Sequence, residues 1–236
     1  MGYLRDIGEA FVKPSVDTGC GVGCYVVNIR NGYDQLSGLS VEQLLDQFGE
    51  SFSIQERLRC HESIAKIYAG SVNTFRVITY RWHDNIYFIP VIMRIGRGNS
   101  CVDNAHAGGV FIAVDNDGLL HDFSTTEFCE KYEKHPTTGF VYKGHKIDLF
   151  PKVMETAQKM HEAVPQLGSC NWDFTIDDRG NPVLIEANTM NGSAWVVQMA
   201  HGKGQFGERT AEILQWMRLM KHTAYSKRKQ YMFGKM

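Results

Sequence analysis

Long apolar runs are missing from this sequence. Nowhere in its 236 residues does an unbroken stretch approach the roughly eighteen apolar residues of a membrane-crossing helix, so membrane insertion is not expected. Net charge is nearly absent as well. Twenty-five Lys and Arg stand against 26 Asp and Glu, leaving −1, which argues against nucleic acid or an anionic membrane as the main partner. Cysteine is sparse and scattered, at positions 20, 24, 60, 101, 129 and 170, with no Cys-x₂-Cys pair to seed a zinc site. No Ser-His-Asp or Cys-His order stands out among the nine histidines. The opening MGYLRDIGEAF carries charges where a secretory leader needs an apolar core, and Asp6 where a myristoylation signal needs Ser or Thr. The reading is a cytoplasmic protein with reduced thiols.

What is present describes an ordinary globular chain, 43% apolar and 22% charged, long enough for a sizeable core. A strand is expected near 9–14, a glycine-rich turn over 15–23, and a returning strand at CYVVNIR. Ser40 and Gln43 have the spacing of a capping box and open a helix through Phe48. A strand near 51–58 and a helix near 62–69 follow. From residue 72 the pattern changes to strands, VNTFRVITY, NIYFIPVIMRI and GGVFIAVD. A helix is expected at 150–163, then a hairpin, NWDFTI and NPVLIEAN around DDRG, and a helix around 207–221. Segregated strands and helices indicate an α+β fold. Lys221, Lys227, Arg228, Lys229 and Lys235 make the end of the chain basic, and it reads as a solvated, partly disordered tail.

The hairpin is the most informative segment. With Ile176 taken opposite Asn181, Asp173 falls opposite Leu184 and Asn171 opposite Glu186. Period-two alternation then puts Trp172, Phe174, Ile176, Val183 and Ile185 on one face, and Asn171, Asp173, Thr175, Glu186 and Asn188 on the other. Such a face is either the polar side of a half-solvated sheet or a site for a hard cation, since two carboxylates and an amide gather without a base among them.

Two further features carry chemistry. In VKPSVDTGCGVGCYVV the glycines lead into a strand and no Lys-Ser/Thr follows, which excludes both a Walker A loop and a dinucleotide fingerprint. What remains is a mobile surface hairpin, or a flap whose backbone N–H groups and Lys13 close over phosphates. Arg76 and Arg94 stand inside otherwise apolar strands, where each needs a structural carboxylate or a bound phosphate as partner.

In order along the chain, the pieces VKPSVDTGCGVG, SIQERL, VNTFRVITY, PVIMRIGRGNSCVDNAHAGG, HPTTG and NWDFTIDDRGNPVLIEAN resemble the ATP-grasp superfamily, in particular its sugar-transfer associated group. The resemblance implies part of a lid subdomain at 1–70 and a catalytic domain of mixed or antiparallel sheet at 71–236. It implies Lys13 on the ATP phosphates, beneath the loop of Gly19, Gly21 and Gly23. Gln55, Glu56 and Leu58 would lie at the adenine hinge, with Glu62 the candidate for the ribose. Arg94 and Asn104 would act near the transferred phosphoryl group with Arg76 close by, and Asp173, Glu186 and Asn188 would hold Mg²⁺ or Mn²⁺. The implied reaction joins a small carboxylate to an amine or related nucleophile through an acyl phosphate, in the making of a surface polysaccharide. An ATP-grasp enzyme ordinarily carries another domain before its lid, whereas Lys13 arrives almost at once here. A homodimer, a partner subunit or a non-catalytic nucleotide-binding remnant are the corresponding alternatives.

Overall fold

A computed structural model describes residues 2–15, 22–49, 51–190 and 192–234. Its first element is a four-stranded antiparallel sheet of β1 (Gly8–Pro14), β2 (Tyr25–Arg30), β3 (Tyr33–Asp34) and β4 (Phe52–Glu56), in the order β3-β2-β1-β4. Ala10 and Val12 of β1 and Val27 and Ile29 of β2 alternate inward, and meet Val41 and Leu44 of helix α1 (Val41–Phe48). The expected capping box is formed: the Gln43 N–H donates to Ser40 Oγ at 3.3 Å, and the Ser40 N–H to Gln43 Oε1 at 2.9 Å. Gly19 and Gly21 lie outside the described residues.

The chain crosses to a larger sheet through residues 57–61, where the His61 N–H donates to the Ile176 carbonyl at 2.8 Å. The expected helix at 62–69 is one turn only, α2 (Glu62–Ala65). The Ile67 N–H bonds the Ile64 carbonyl three residues back, which tightens the next turn out of α geometry.

The large sheet contains β5 (Thr74–Trp82), β6 (Asn85–Phe88), β7 (Val91–Ile95), β8 (Val110–Val114), β9 (Leu120–Thr125), β10 (Lys131–Tyr132), β11 (Ser169–Ile176) and β12 (Pro182–Asn188). Its order is β10-β9-β8-β7-β5-β11-β12, antiparallel throughout, with β6 also paired to β5. NIYFIPVIMRI is therefore two strands rather than one. Pro90, which has no N–H to give a ladder, falls at the break. The β8–β9 turn closes at Gly118, φ +90°, where an added Cβ would sit 2.3 Å from the Ile147 carbonyl oxygen.

Helix α3 (Phe150–Glu162) covers one face of this sheet, burying Phe150, Val153 and Ala157 against Phe75, Val77, Trp172 and Phe174. Two other helices, α4 (Ala194–His201) and α5 (Thr210–His222), cover part of the opposite face, over Ile78, Ile92, Phe111 and Ala113. No helix among the described residues is long and apolar enough to cross a membrane. The basic tail is not loose. Residues 225–234 form tight turns in which the Trp216 indole donates to the Tyr231 carbonyl at 2.5 Å and the Arg81 guanidinium lies over the Phe233 ring. Lys227 and Lys229 are exposed and Arg228 Nε donates to the Thr223 carbonyl at 3.0 Å, while Met232 and Phe233 are half-buried.

Candidate nucleotide and metal site

Where α4 and α5 stop, the same sheet face turns from apolar to charged. Thr74 and Arg76 of β5 share the face of Ile78 and Tyr80, and Arg94 of β7 lies opposite Thr74. Two rows cross the strands. One runs Arg76–Asp173–Glu186 and the next Ile78–Asn171–Asn188, each member directly opposite its neighbour.

That register corrects the expected one. Ile176 pairs with Pro182, not Asn181, because the turn keeps Asn181: the Asp177 N–H donates to its carbonyl at 2.9 Å. A bulge between Asp173 and Phe174 then inserts Ile185. The two one-residue offsets add to two, which restores parity. Asp173 thus faces Glu186, and Asn171 faces Asn188. Leu184 packs on the core, while Val183 moves opposite Thr175 and Ile185 is 46% exposed.

Asp173 is buried, 1% exposed, and holds two guanidiniums. Arg76 Nε donates to Oδ1 at 2.9 Å and its Nη2 to Oδ2 at 2.8 Å, while Arg94 Nη2 stands 3.1 Å from Oδ2. Burial disfavours the Arg76 charge, yet the Asp173 fork more than offsets it and raises the pKa above the ordinary arginine value. Arg94 also donates to Thr74 Oγ1 at 2.7 Å and lies 3.7 Å from Asp103. Asp103 accepts from the Thr74 N–H at 2.9 Å, and burial pushes its carboxyl up against the opposing pull of Arg94. Of the two partners foreseen for Arg76 and Arg94, the structural carboxylate is the one seen here. Sequence reasoning gave Thr74 and Asp103 no role. The signal was a lone Asp before Asn104 in a glycine-rich loop.

Asn104 follows Asp103, but its side chain caps a short turn, accepting from the His106 N–H at 2.9 Å. The HPTTG segment braces this neighbourhood. His135 contacts the Gly96 carbonyl at 2.8 Å, the Gly98 N–H donates to Thr137 Oγ1 at 2.7 Å, and Thr138 Oγ1 donates to the Ile67 carbonyl at 2.8 Å.

On the small sheet, Glu9, Phe11 and Lys13 project from the face opposite the α1 core. Gln55 pairs with Phe11 and shares that face, whereas Glu56 pairs with Ala10 and points to the α1 side. Arg57 is 3.5 Å from Glu9. Burial raises the thiol pKa of both Cys24 and Cys101, against smaller opposing pulls from Lys13 and Arg57, and the Cys101 thiol lies 3.7 Å from the Cys24 carbonyl. Cys24, next to the Tyr25 that pairs with Val12, thus brings this end of the small sheet to the loop carrying Cys101. Gly23 adopts φ +77°, and a Cβ there would meet Pro14 at 2.9 Å. Leu58 is half-buried on the crossover and Glu62 is exposed at the start of α2.

The donor chemistry suits a hard cation in one respect. Glu186 is exposed, with Asn188 two residues on and Asp173 across the ladder, an all-oxygen set of two carboxylates and an amide. Among the described residues no group of three or more His, Cys, Asp and Glu side chains gathers as a metal site. The five described cysteines, Cys24, Cys60, Cys101, Cys129 and Cys170, are free thiols.

The site thus lies on a charged half-face of the large antiparallel sheet, and the small four-stranded sheet precedes it in the chain. The chain belongs to the sugar-transfer associated ATP-grasp family, whose match runs over residues 2–213. Three solved structures are similar. D-alanyl-alanine synthetase A from Vibrio cholerae shares 14% identity, over 91% of this chain and 53% of that one, with a TM-score of 0.46. An ADP complex of N5-carboxyaminoimidazole ribonucleotide synthetase shares 14%, over 82% and 37%, at 0.45. An L-amino acid ligase from Bacillus licheniformis shares 13%, over 82% and 34%, at 0.42. The chain thus spans between a third and just over half of these proteins. No curated protein matches in sequence.

Proposed function

We propose that the chain binds ATP between its two sheets and uses it to activate a small carboxylate for attack by an amine or related nucleophile. The observation that carries this reading is the row Arg76–Asp173–Glu186, extended by Arg94 and Asn188, on the sheet face whose other part α4 and α5 pack against. Guanidiniums and oxygen ligands side by side are what a triphosphate and its cation require.

In this reading Lys13 and the glycine flap hold the phosphates from above, and Gln55 and Leu58 border the base. Arg94 lies against the transferred phosphoryl group, with Asn104 on the following loop and Arg76 steadying Arg94 through Asp173. Asp173, Glu186 and Asn188 would hold Mg²⁺ or Mn²⁺, which when bound offsets charge on the phosphates. A carboxylate oxygen attacks the γ-phosphorus in line, the bond to ADP breaks, and the acyl phosphate so formed is then opened by the amine with loss of phosphate. The chain itself supplies no covalent group; it orients the reactants and neutralises charge. By its family name the product belongs with sugar transfer, and a cytoplasmic enzyme of surface-polymer synthesis is consistent with that.

The fork on Asp173 favours a second reading, because a carboxylate saturated by two guanidiniums has little left for a cation. A chain that binds nucleotide without turnover would show it. Calorimetric titration of ATP with and without Mg²⁺, on the wild type and on a Glu186→Ala/Asn188→Ala variant, tests the first reading. Binding that needs Mg²⁺ and vanishes in the variant supports it. Absence of ATP binding by folded wild-type protein sinks it, and Mg²⁺-independent binding favours the second.

A further inference from the structure

The second cross-strand row, Ile78–Asn171–Asn188, is also the rim of a cleft. Beyond it lies a space of about 600 Å³, between the ends of β5 and β11 on one side and α5 with the C-terminal tail on the other. Its walls are apolar and adaptable: Tyr80, Phe206, Trp216, Met217, Met220 and Met232 line it. The aromatic side is ordered, with Trp82 perpendicular to Trp216 at 5.5 Å and Tyr80 edge-on to Phe206 at 5.2 Å.

The polar atoms of this cleft are what point to a ligand. Four buried side-chain nitrogens or oxygens lack a hydrogen-bond partner among the described residues, and three of them belong to cleft residues: Trp82 Nε1, Arg81 Nε and Gln205 Oε1. Trp82 is 3% exposed, and an indole N–H has no alternative as an acceptor, so it is left unsatisfied by its own fold. The Trp82 donor and the Gln205 acceptor, on a methionine-rich apolar space whose rim carries Asn171 and Asn188, describe a small amphipathic guest.

We propose that this cleft takes the carboxylic acid that the site activates, an acid with an alicyclic, aryl or branched alkyl body. Its carboxylate lies at Asn171 and Asn188, and a second oxygen at its far end accepts from the Trp82 N–H group. Which group is activated rests on the ligase reading; that the cleft binds such an acid does not. Gly192 holds the rim tight, since a Cβ there would overlap the Asn171 side chain, 1.7 Å from its Nδ2. A guest therefore enters past Met190 and Met217, which are 77% and 51% exposed.

Three acids serve as probes: 3-(4-oxocyclohexyl)propionate, 3-cyclohexylpropionate and acetate, titrated by ligand-observed NMR and by tryptophan emission, since Trp82 and Trp216 both line the cleft. The expected order of affinity is keto acid, then cyclohexyl acid, with no saturation by acetate. Met217→Glu, a change at an exposed position, weakens both cyclic acids about tenfold. Trp82→Phe removes the advantage of the keto acid and keeps the ring. Equal response to acetate, no saturable binding of the cyclic acids, or unchanged binding in a folded Met217→Glu protein overturns the proposal. MgATP titrated in parallel separates the two claims. Acid binding without ATP binding removes the ligase reading and leaves the cleft; ATP binding without acid binding removes the cleft alone.

Discussion

Arg76 and Asp173 are directly opposed across β5 and β11 and meet in a two-point fork, 2.9 and 2.8 Å, with side chains only 12% and 1% exposed. Removing one member leaves the other charged and buried. Asp173→Asn should therefore destabilise the fold by about 3–5 kcal/mol, the more so because Arg94 loses the same partner. Arg76→Lys keeps the charge but not the planar fork, and should cost about 1–3 kcal/mol. Urea unfolding at neutral pH measures both. An Asp173→Asn protein as stable as the wild type would mean that the fork contributes nothing to folding.

Glu186 should behave in the opposite way. Its exposed carboxylate makes Glu186→Gln cost no more than about 0.5 kcal/mol of stability. Its effect should fall on Mg²⁺-dependent nucleotide affinity, with a loss of at least about tenfold, or about 1.4 kcal/mol. Calorimetry with Mg²⁺ and again with EDTA gives the number. If the variant loses stability but keeps its Mg²⁺ response, the metal assignment of this face is wrong.

The charged face was legible because side-chain parity survives an even error in register. The turn and the bulge each displaced the pairing by one residue, and neither is written locally: the turn keeps Asn181 through a backbone bond, and the bulge sits between buried Asp173 and Phe174. The capping box at Ser40 and the stripe of α3 were equally plain, since each rests on neighbours within two turns. Helix α4 was not legible. Its AWVVQMAH has no side-chain cap at Ser193 and reads as well for a strand; packing of Val196 and Val197 on the sheet decides it. The tail misled because its charges outnumber Met232 and Phe233, which are half-buried. The Arg76–Asp173 partnership joins positions 97 apart, which no local pattern reveals.

Two buried histidines, His135 and His161, and the half-buried His201 oppose protonation of the folded chain. Burial, first of all, lowers the pKa of His135, His161 and His201 below the ordinary value of 6.5, against backbone carbonyls that pull each upward. Above that value both folded and unfolded states hold neutral imidazoles, so no difference arises. Below it the unfolded chain takes up protons that the folded chain refuses, and stability falls as pH drops toward the lowered native pKa values. Thermal unfolding should show Tm constant from pH 8 to 7 and declining from about pH 6.5 downward. His161→Gln should flatten part of that decline, because His161 is fully buried between Thr79 Oγ1 at 2.7 Å and the Leu167 carbonyl at 3.0 Å. A Tm that rises on acidification would contradict the neutral assignment.

Strand parity also divides the residues proposed to meet adenine. Gln55 lies on the face of β4 that carries Phe11 and Lys13 on β1, and Glu56 on the face that closes over α1. Both side chains are exposed, so replacing either should leave the fold within about 0.5 kcal/mol. Their effects on nucleotide should differ. Lys13→Ala removes the cation at the end of β1 and should weaken ATP by about tenfold or more, with a shallower dependence on salt. Gln55→Ala should weaken it by a few fold, and Glu56→Ala not at all. The contrast between the two neighbours is the test, because a general disturbance of β4 would affect both alike. Should Glu56→Ala be the damaging change, the α1 side of the small sheet, not the Lys13 side, would be the one that closes over the base.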